Sequence, residues 1–328
     1  CSSDLVPDPN SFELTENPVP KPGPGEALVR TLYLSVGPYL RERMNATESY
    51  ATALDVGDPL EGGVVGEVVS TNGTSLEPGD VVVGTLEWAD YATAPESDLS
   101  RVETGEAPIS TALGVLGMPG RTAYFGAIDV GEVRAGDTFV VTGAAGAVGS
   151  AAGQIASLSG ARVVGFAGSD KKVSVVEDEF GFDACINYDT IEDYGPALEA
   201  SAPDGVDVYF DNVGGPITDS VFPKLAVDAR VVVCGQISLY NAESIPTGPR
   251  KLPGLIETRA TVSGFSVRDF APRFDAATRR LRRWVTDGDI RYRETISDGL
   301  ERAPRAFLDL FNGEKIGKQL VQVGEREQ

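Results

Sequence analysis

Apolar residues follow two different rhythms along the chain. Between Ala27 and about Ser110 they form short runs, ALVRTLYLSV, GGVVGEVVS and DVVVGTLEWADYATA, separated by turns that contain Pro and Gly, as at 77–80. Short runs rich in β-branched residues and bounded by turn residues are typical of strands. This part of the chain therefore predicts an irregular, mostly β domain.

From Thr138 onward the rhythm changes to strand, helix, strand, helix. The strand-like runs are TFVVTG, ARVVGFAG, ACINY, VDVYFDNV and ARVVVCG, and TVSGFSV near 261–267 supplies the last one. Continuous Val-rich runs that alternate with helices indicate a parallel sheet covered on both faces. The predicted fold class is α/β: a doubly wound parallel sheet with a second, mostly β domain. The C-terminal segment KIGKQLVQV is expected to rejoin that domain after an amphipathic helix, FDAATRRLRRWVTDG.

Composition and charge narrow the classes of function. The chain has 328 residues, 41% of them apolar, which suffices for more than one core. Its 28 Lys and Arg against 49 Asp and Glu give a net charge of −21, which repels nucleic acid and anionic membranes. Arg outnumbers Lys by 21 to 7, and this balance favours a halophilic protein over an acidic mesophilic one.

Histidine is absent, and the cysteines are Cys1, Cys185 and Cys234. A catalytic zinc site needs clustered thiolate or imidazole ligands, and a Ser-His-Asp or Cys-His pair needs an imidazole base, so neither is expected. Cys185 and Cys234 lie in apolar runs, where a thiol behaves as a small buried hydrophobe. No long apolar run or basic leader is present, which predicts a cytoplasmic protein. The start Cys1-Ser2-Ser3, without Met, favours truncation over a lipid-modified terminus.

A glycine-rich turn follows the strand TFVVTG and opens the helix SAAGQIASL. It contains Gly146, Ala147, Val148 and Gly149, which fit A-x-G-x-x-G with a further glycine in front. Residues without large side chains at a helix N-terminus let a pyrophosphate approach the free amides, although small residues also serve plain packing. The position between a strand and a helix favours dinucleotide binding. We assign this domain to 118–267 and the substrate domain to 1–117 and 268–328.

The end of the second strand of this domain, ARVVGFAG, predicts whether the cofactor is NAD(H) or NADP(H). NAD-binding domains usually place Asp or Glu there against the ribose 2′-hydroxyl, but this strand ends in Ala167 and Gly168. Lys171 and Lys172 follow, in the first turn of a helix, where each cation opposes the helix dipole by about 0.3–1 kcal/mol. A 2′-phosphate would compensate for that, so NADP(H) is the expected cofactor. The alternative is a solvated lysine pair.

With these residues in view, the chain resembles the leukotriene B4 12-hydroxydehydrogenase/prostaglandin reductase group of the zinc-independent medium-chain dehydrogenases/reductases, which includes plant double-bond reductases and bacterial curcumin reductases. The resemblance runs from Phe12 to Val323 through PYLRERM, GMPGRTAYFG, GAAGAVGSAAGQIA, GSDKKV, GFDACINY, YFDNVGG, CGQISLYN and IGKQLV. It implies a Rossmann-type domain, a GroES-like catalytic domain and usually a homodimer. The implied reaction is reduction by NADPH, without metal, of the carbon–carbon double bond of α,β-unsaturated ketones and aldehydes.

Matched motif by motif, the resemblance also implies site residues. Lys172 contacts the 2′-phosphate, and Tyr188 of INY lies near the same nucleotide. Asn212 of DNVGG lies beside the nicotinamide end, and Tyr240 of ISLYN assists catalysis. The other cofactor-binding residues belong to the glycine-rich turn, GSDKKV and CGQISLYN: Gly146, Ala147, Val148, Gly149, Ser169, Cys234 and Gly235.

The implied reaction requires a hydrogen-bond donor near the carbonyl oxygen of the substrate, and Tyr240 is the candidate. Hydride delivery to the β-carbon places negative charge on the carbonyl oxygen, and a hydrogen-bond donor aimed at that oxygen lowers the barrier. A phenol, with an ordinary pKa of about 10, keeps its proton at neutral pH. The alternative is that Tyr240 only packs against the nicotinamide or holds a ribose hydroxyl. Tyr39 and Tyr124 compete for the role and, with Arg41, are candidates for the substrate pocket. For Asn212, the alternative is a plain turn residue.

Three residues depart from the family pattern. Gly37 stands where Asp commonly precedes Pro-Tyr, which puts the placement of Tyr39 and Arg41 in question. Lys315 stands where Asn commonly lies close to the cofactor, and Arg121 replaces an apolar residue in GMPG-x-TAY. Two other functions stay open: an NADPH quinone reductase of the same superfamily, and a non-catalytic nicotinamide-binding protein with a structural or regulatory role.

Overall fold

The computed structural model of the protein describes residues 7–44, 53–242, 244, 246–313 and 315–326. The chain divides into two compact units. We call Ser3–Gly114 with Glu294–Gln328 the β-rich unit, and Val115–Arg293 the parallel-sheet unit. Cys1, Ser2 and Ser3, on which the interpretation of the N-terminus depends, lie outside the described residues.

The β-rich unit is built on one sheet with short helices at its rim. Its elements before Gly114 are strands β1 Glu26–Ser35, β2 Glu61–Asn72, β3 Val81–Glu87, β4 Tyr91–Pro95 and β5 Leu99–Arg101, and helix α1 Tyr39–Arg43. The run DVVVGTLEWADYATA thus forms two strands rather than one. The first, β3, pairs with β2, whereas β4 crosses to pair with β1.

The parallel-sheet unit alternates strands and helices as the sequence pattern predicts. Its strands are β6 Thr138–Thr142, β7 Arg162–Ala167, β8 Ala184–Asn187, β9 Val206–Asp211, β10 Leu225–Val233 and β11 Thr261–Gly264. Its helices are α2 Met118–Phe125, α3 Ala147–Leu158, α4 Asp170–Ser174, α5 Tyr194–Ser201, α6 Gly215–Val221, α7 Gly254–Thr258 and α8 Phe274–Asp287. After α8 the chain returns to the β-rich unit with β12 Glu294–Asp298, α9 Ala303–Leu308 and β13 Lys318–Gln322.

The two sheets have the topologies that the patterns indicate. In the parallel-sheet unit the strand order is β11-β10-β9-β6-β7-β8, and every neighbouring pair is parallel. In the β-rich unit the order is β12-β13-β1-β2-β3-β5, with β4 on β1, and only β12 and β13 pair in parallel. The predicted fold class, a doubly wound Rossmann-type sheet with a separate mostly β domain, is confirmed.

The units differ from the predicted boundaries in two segments, 115–117 and 268–293, both of which were predicted in the substrate domain. We placed 268–293 with the substrate domain, but these residues belong to the parallel-sheet unit. The reason is the packing of α8, because its Thr278 hydroxyl accepts a hydrogen bond from Arg121 Nε at 2.9 Å. The ring of Phe274 also lies 6.2 Å from that of Phe125. An amphipathic pattern shows that a helix has a buried face but not which sheet covers it.

Each unit has its own core. Apolar side chains from β1, α1, β2, α9 and β13 fill the β-rich unit, among them Val29, Leu40, Val64, Phe307 and Val321. In the parallel-sheet unit the core joins strand residues to helix residues, including Val140, Val164, Tyr209, Leu198 and Val221. Burial of apolar surface contributes roughly 25 cal/mol per Å², and the core of the parallel-sheet unit thereby stabilises the strands whose ends carry the candidate site.

A lysine lies inside the β-rich unit. Lys318 at the start of β13 is only 6% exposed, and its Nζ donates to the carbonyl oxygens of Val36 at 2.5 Å and of Gln319 at 3.0 Å. The pKa of Lys318 is lowered to about 7, mainly by burial and to a smaller extent by the charge of Lys315, while Glu294 opposes the shift. Burial also raises the pKa of Glu294, the partner of Lys318 in the β12–β13 register.

Stability should consequently depend on pH through Lys318. An unfolded lysine has a pKa of about 10.4, so the folded protein binds fewer protons than the unfolded chain above pH 7. The free energy of unfolding should rise with pH from about 7 to about 10, by at most about 1.4 kcal/mol per pH unit, and this gain is lost progressively as the pH falls from about 10 to about 7. Lys318→Met should lack this rise.

Thermal unfolding midpoints at pH 7, 8, 9 and 10 would measure the effect. Because the raised pKa of Glu294 gives stability that is lost as pH rises, the contribution of Lys318 is read as the difference between wild type and variant. Lys21→Met, which removes an exposed lysine of the same unit, is the control and should follow the wild type. Parallel curves for wild type and Lys318→Met would contradict the buried-lysine assignment.

Candidate active site

The candidate site lies at the carboxyl ends of β6 and β9. These strands are neighbours in the sheet, but the chain leaves them towards opposite sides, since β7 follows on one flank of β6 and β10 on the far flank of β9. Such a switch in strand order opens a crevice, and ligands of doubly wound sheets bind there. The residues that follow β6 are the glycine-rich turn, and Asn212 follows β9.

The glycine-rich turn is shaped by backbone contacts that only glycine permits. Gly143 has a φ of +64°, and its carbonyl oxygen accepts a hydrogen bond from Gly146 N at 2.9 Å. A Cβ on Gly149 would lie 2.3 Å from that same oxygen, so α3 can approach the turn only with glycine there. The helix starts after Gly146 without a side-chain cap, which leaves its first amides, including those of Ala147 and Val148, for an anion.

At the end of β7 the structure brings together the residues predicted to hold the 2′-phosphate. Ser169 is the N-cap of α4, and its Oγ accepts a hydrogen bond from Lys172 N at 3.3 Å. Burial lowers the pKa of Lys172, and Asp189 partly offsets this. Lys171, by contrast, is exposed. A half-buried ammonium group whose charged form is disfavoured would be stabilised by a bound phosphate.

Tyr188 lies directly against Gly168. A Cβ on Gly168 would be 2.5 Å from Tyr188 Oη and 2.7 Å from its Cζ. Tyr188 N also donates to Ala167 O at 3.1 Å. Burial raises the pKa of Tyr188, and Asp189 and Tyr194 add to the shift. The space that an acidic side chain at 168 would need against a ribose 2′-hydroxyl is therefore filled by the Tyr188 ring.

Asn212 joins the end of β9 to the end of β6. Its backbone N donates to Thr142 Oγ1 at 2.8 Å, and its Nδ2 donates to Thr142 O at 2.7 Å. The Asn212 side chain is thus more than a turn residue, because it ties β9 to β6 next to Gly143. Its predicted place beside the nicotinamide stays a prediction.

Cys234 and Gly235 attach the end of β10 to β9. Their backbone N atoms donate to Asp211 O at 2.8 and 3.1 Å. Burial raises the pKa of the Cys234 thiol to about 12, with Asp211 adding to the shift, so the thiol stays protonated at neutral pH. The two residues therefore shape the wall of the crevice through their backbone, while their contact with a cofactor stays a prediction.

Tyr240 follows a 3-10 turn, Ile237–Leu239, beyond the end of β10. Its Oη accepts a long hydrogen bond of 3.5 Å from Gln236 N. A Cβ on Gly235 would lie 3.4 Å from the same oxygen. The phenol oxygen thus lies near the carboxyl end of β10, and Asn212 lies at the carboxyl end of the neighbouring strand β9.

The candidates for the substrate pocket fall in different units. Tyr124 on α2 belongs to an aromatic group, with ring centroids 5.3 Å from Phe125 and 6.1 Å from Trp284. Tyr39 and Arg41 lie on α1 of the β-rich unit. A Cβ on Gly37 would be 2.8 Å from the Tyr39 ring, so the glycine that departs from the family pattern lets this ring fold back over residue 37. Burial lowers the pKa of Arg41. A shared pocket stays a prediction.

The sequence reading missed one group in the site. Asp211, Thr142, Thr218 and Gln236 form a buried hydrogen-bond network at the ends of β6, β9 and β10. A signal was present, because Asp211 closes the apolar run VDVYFD, and a carboxylate at such a position must find donors.

Metal ligands are not grouped in the ranges that the structure covers. Among residues 7–44, 53–242, 244, 246–313 and 315–326, no three His, Cys, Asp or Glu side chains are placed to hold a metal ion. Over these same ranges no helix combines the length and the apolarity needed to cross a membrane.

Comparisons with known proteins identify the family of the chain. A family model described as the N-terminal domain of oxidoreductase matches residues 3–102, and one described as zinc-binding dehydrogenase matches residues 147–283. The YfmJ protein of Bacillus subtilis (strain 168), assigned as an NADP-dependent oxidoreductase, is 50% identical over 98% of this chain and 95% of its own.

Two further relatives are informative. The NADP(+)-dependent 2-alkenal reductase of Nicotiana tabacum is 39% identical over 92% of this chain and 88% of its own. The crystal structure of CurA from Vibrio vulnificus in complex with NADPH superposes with a TM-score of 0.93 at 40% identity, covering 98% of this chain and 96% of that one. The chain therefore belongs to the medium-chain dehydrogenases/reductases, in the group of the prostaglandin and 2-alkenal reductases.

Proposed function

We propose that this protein is an NADPH-dependent reductase of the carbon–carbon double bond of α,β-unsaturated ketones and aldehydes. The observation that carries the proposal is the end of β7, where Lys172 supplies a cation and the Tyr188 ring fills the space of an acidic side chain. That arrangement suits a 2′-phosphate and disfavours NAD. The substrate class rests on family membership, since a 2-alkenal reductase is among the relatives.

The chain supplies the parts that such a cofactor requires. The close approach at Gly149 and the uncapped start of α3 suit a pyrophosphate, and Asn212 lies at the crevice wall where the nicotinamide end is expected. When bound, NADPH would supply the hydride. The protein's own contribution is to orient the cofactor by backbone amides and to hold a proton near the substrate.

In the proposed reaction, a hydride adds to the β-carbon and the electron pair of the double bond moves towards the carbonyl oxygen. The Tyr240 hydroxyl donates a hydrogen bond to that oxygen and so stabilises the enolate charge. A proton from solvent water then adds to the α-carbon, which completes the saturated carbonyl product and leaves the Tyr240 hydroxyl protonated. Neither step requires an imidazole or a metal ion.

Enzyme assays would separate this reaction from the alternatives. NADPH oxidation is followed by its absorbance with a long-chain 2-alkenal, an enone and a simple quinone, and each assay is repeated with NADH and at low and high salt. We expect fast turnover of the alkenal and the enone with NADPH only. Turnover with quinones alone would identify a quinone reductase, and tight NADPH binding without turnover would indicate a binding protein.

Three further expectations stay predictions: a homodimer, a halophilic origin and a cytoplasmic location. The homodimer implied by the resemblance fits the position of β11 at the sheet edge, where Val262 is 42% exposed. An unpaired strand edge is a ready site for a second copy. The halophilic origin and the cytoplasmic location rest on sequence composition alone.

A further inference from the structure

Asp211 is a buried carboxylate that the predicted reaction does not use. It closes β9 and is 1% exposed. Its hydrogen-bond partners are all uncharged donors, although a buried charge is most often paired with a cation. Because burying a carboxylate costs free energy, we expect Asp211 to have a role beyond packing.

Six donors converge on this carboxylate. Oδ1 accepts from Thr142 Oγ1, Tyr209 Oη, Val213 N and Gly214 N at 3.0, 3.1, 3.0 and 2.9 Å. Oδ2 accepts from Thr218 Oγ1 at 2.7 Å and from Gln236 Nε2 at 2.8 Å. The donors come from β6, from β9 and the turn that follows it, from α6 and from the segment after β10, so one carboxylate joins β6, β9, α6 and that segment.

Two of these links lead to the residues expected at the nicotinamide end. Thr142 Oγ1, which donates to Asp211, also accepts from Asn212 N at 2.8 Å. Gln236, whose side chain donates to Asp211, presents its backbone N to Tyr240 Oη at 3.5 Å. Asp211 therefore reaches Asn212 through Thr142, and Tyr240 through Gln236.

The backbone around Asp211 depends on the same contacts. Gly214 has a φ of +75°, and a Cβ there would lie 2.1 Å from Gln236 Oε1. The Gln236 amide is thus wedged between Gly214 and Asp211. The neighbouring residue Val213 is also fixed, since its carbonyl oxygen accepts a hydrogen bond from Ser238 Oγ at 2.6 Å.

We propose that Asp211 is a positioning residue for the nicotinamide end of the cofactor, and that it acts by fixing Asn212 through Thr142 and Tyr240 through Gln236. The inference rests on the roles proposed for Asn212 and Tyr240. It assigns no contact between Asp211 and substrate or cofactor, because the carboxylate is fully occupied by protein donors.

Asp211→Asn tests this with a small change of shape. The backbone amides of Val213 and Gly214 cannot reverse, so the asparagine oxygen takes the Oδ1 position and its NH₂ group takes the Oδ2 position. Thr218 can turn its hydroxyl to accept, but Gln236 must reverse its amide or move. The variant thus perturbs the link to Tyr240 first.

The measurements compare two ligands on the folded variant. Adenosine 2′,5′-bisphosphate carries the 2′-phosphate end without a nicotinamide, whereas NADPH carries both. We expect the dissociation constant of adenosine 2′,5′-bisphosphate to stay within about twofold of wild type and that of NADPH to rise about tenfold. With the alkenal substrate, kcat should fall about ten- to a hundredfold, as for a group misplaced by about 1 Å.

The matched control is Asp207→Asn on the same strand. Asp207 lies at the opposite end of β9, where its Oδ2 accepts from Thr138 N at 2.8 Å. The chemical change is identical, but it lies away from the crevice, so both dissociation constants and kcat should match the wild type. If Asp211→Asn does not fold, Gln236→Leu removes the link to Tyr240 alone and should show the same pattern.

The outcomes are separable from those of the proposed function. Equal losses for both ligands, or an NADPH affinity and kcat like those of the wild type, would overturn the positioning role. If the wild type reduces no alkenal or enone, the proposed reaction fails. The comparison of the two ligands then still decides the role of Asp211, because it needs no turnover.

Discussion

Replacing Tyr240 by phenylalanine should slow turnover of an α,β-unsaturated aldehyde about 10²- to 10³-fold, the usual loss when one donor to a developing oxyanion is removed. The ring keeps its packing, so the dissociation constant of NADPH should change little. Single-turnover rates and the isotope effect with NADPH deuterated at the transferred position would report on the chemical step. The isotope effect should increase in the variant if hydride transfer becomes rate-limiting.

The competing tyrosines serve as comparisons. Tyr124→Phe and Tyr39→Phe remove the other two candidate hydroxyls, and Tyr91→Phe changes a tyrosine on β4 with no proposed role. We expect only Tyr240→Phe to lose the chemical step. Unchanged turnover in Tyr240→Phe would remove this residue from the mechanism, and a large loss in Tyr124→Phe or Tyr39→Phe would transfer the role.

Lys172→Ala should weaken NADPH binding by the value of one charge-assisted hydrogen bond, about 1.5–3 kcal/mol, which is roughly 10- to 150-fold in the dissociation constant. NADH binding should hardly change, because NADH lacks the 2′-phosphate. Titrations that follow cofactor fluorescence at low ionic strength would give both constants. The loss should be smaller in concentrated salt, where a charge interaction open to solvent is screened.

Lys171 provides the matched control for this prediction. It is the neighbouring lysine in the sequence, but it is exposed. Lys171→Ala changes the net charge by the same amount, so it corrects for general electrostatic attraction of an anionic cofactor. Equal losses in Lys171→Ala and Lys172→Ala, or equal losses for NADPH and NADH in Lys172→Ala, would refute a specific 2′-phosphate contact.

The repeating pattern of the chain was sufficient to predict most of the parallel-sheet unit. A continuous apolar strand followed by a helix of small residues indicates a parallel sheet covered by helices. The glycine-rich turn before α3 lies where that pattern predicts it. The assignment of α8 was harder, because its partner is α2, more than a hundred residues away in the chain. Hydrophobic periodicity gives the buried face of a helix and says nothing about its neighbour.

The site was less accessible to sequence reasoning. Gly168 and Tyr188 meet because Ala167 pairs with Asn187 in the register of β7 and β8. That register is a tertiary property, so the sequence indicated a missing acidic residue but not the ring that fills its space. In the same way, the charge of Asp211 was visible in the sequence, whereas its six donors come from residues 142 to 236 and depend on the folded sheet.

The contact between Tyr188 and Gly168 also constrains how cofactor preference can evolve. A carboxylate at 168 requires the Tyr188 ring to shift, since a Cβ there would lie 2.5 Å from its Oη. A smaller residue at 188 would remove this obstacle before an acid is introduced at 168. Two substitutions at touching positions are not additive, so the order in which they occur decides whether each intermediate is functional. A change of preference from NADPH to NADH should therefore be less destabilising when residue 188 becomes smaller before an acid appears at 168 than in the reverse order.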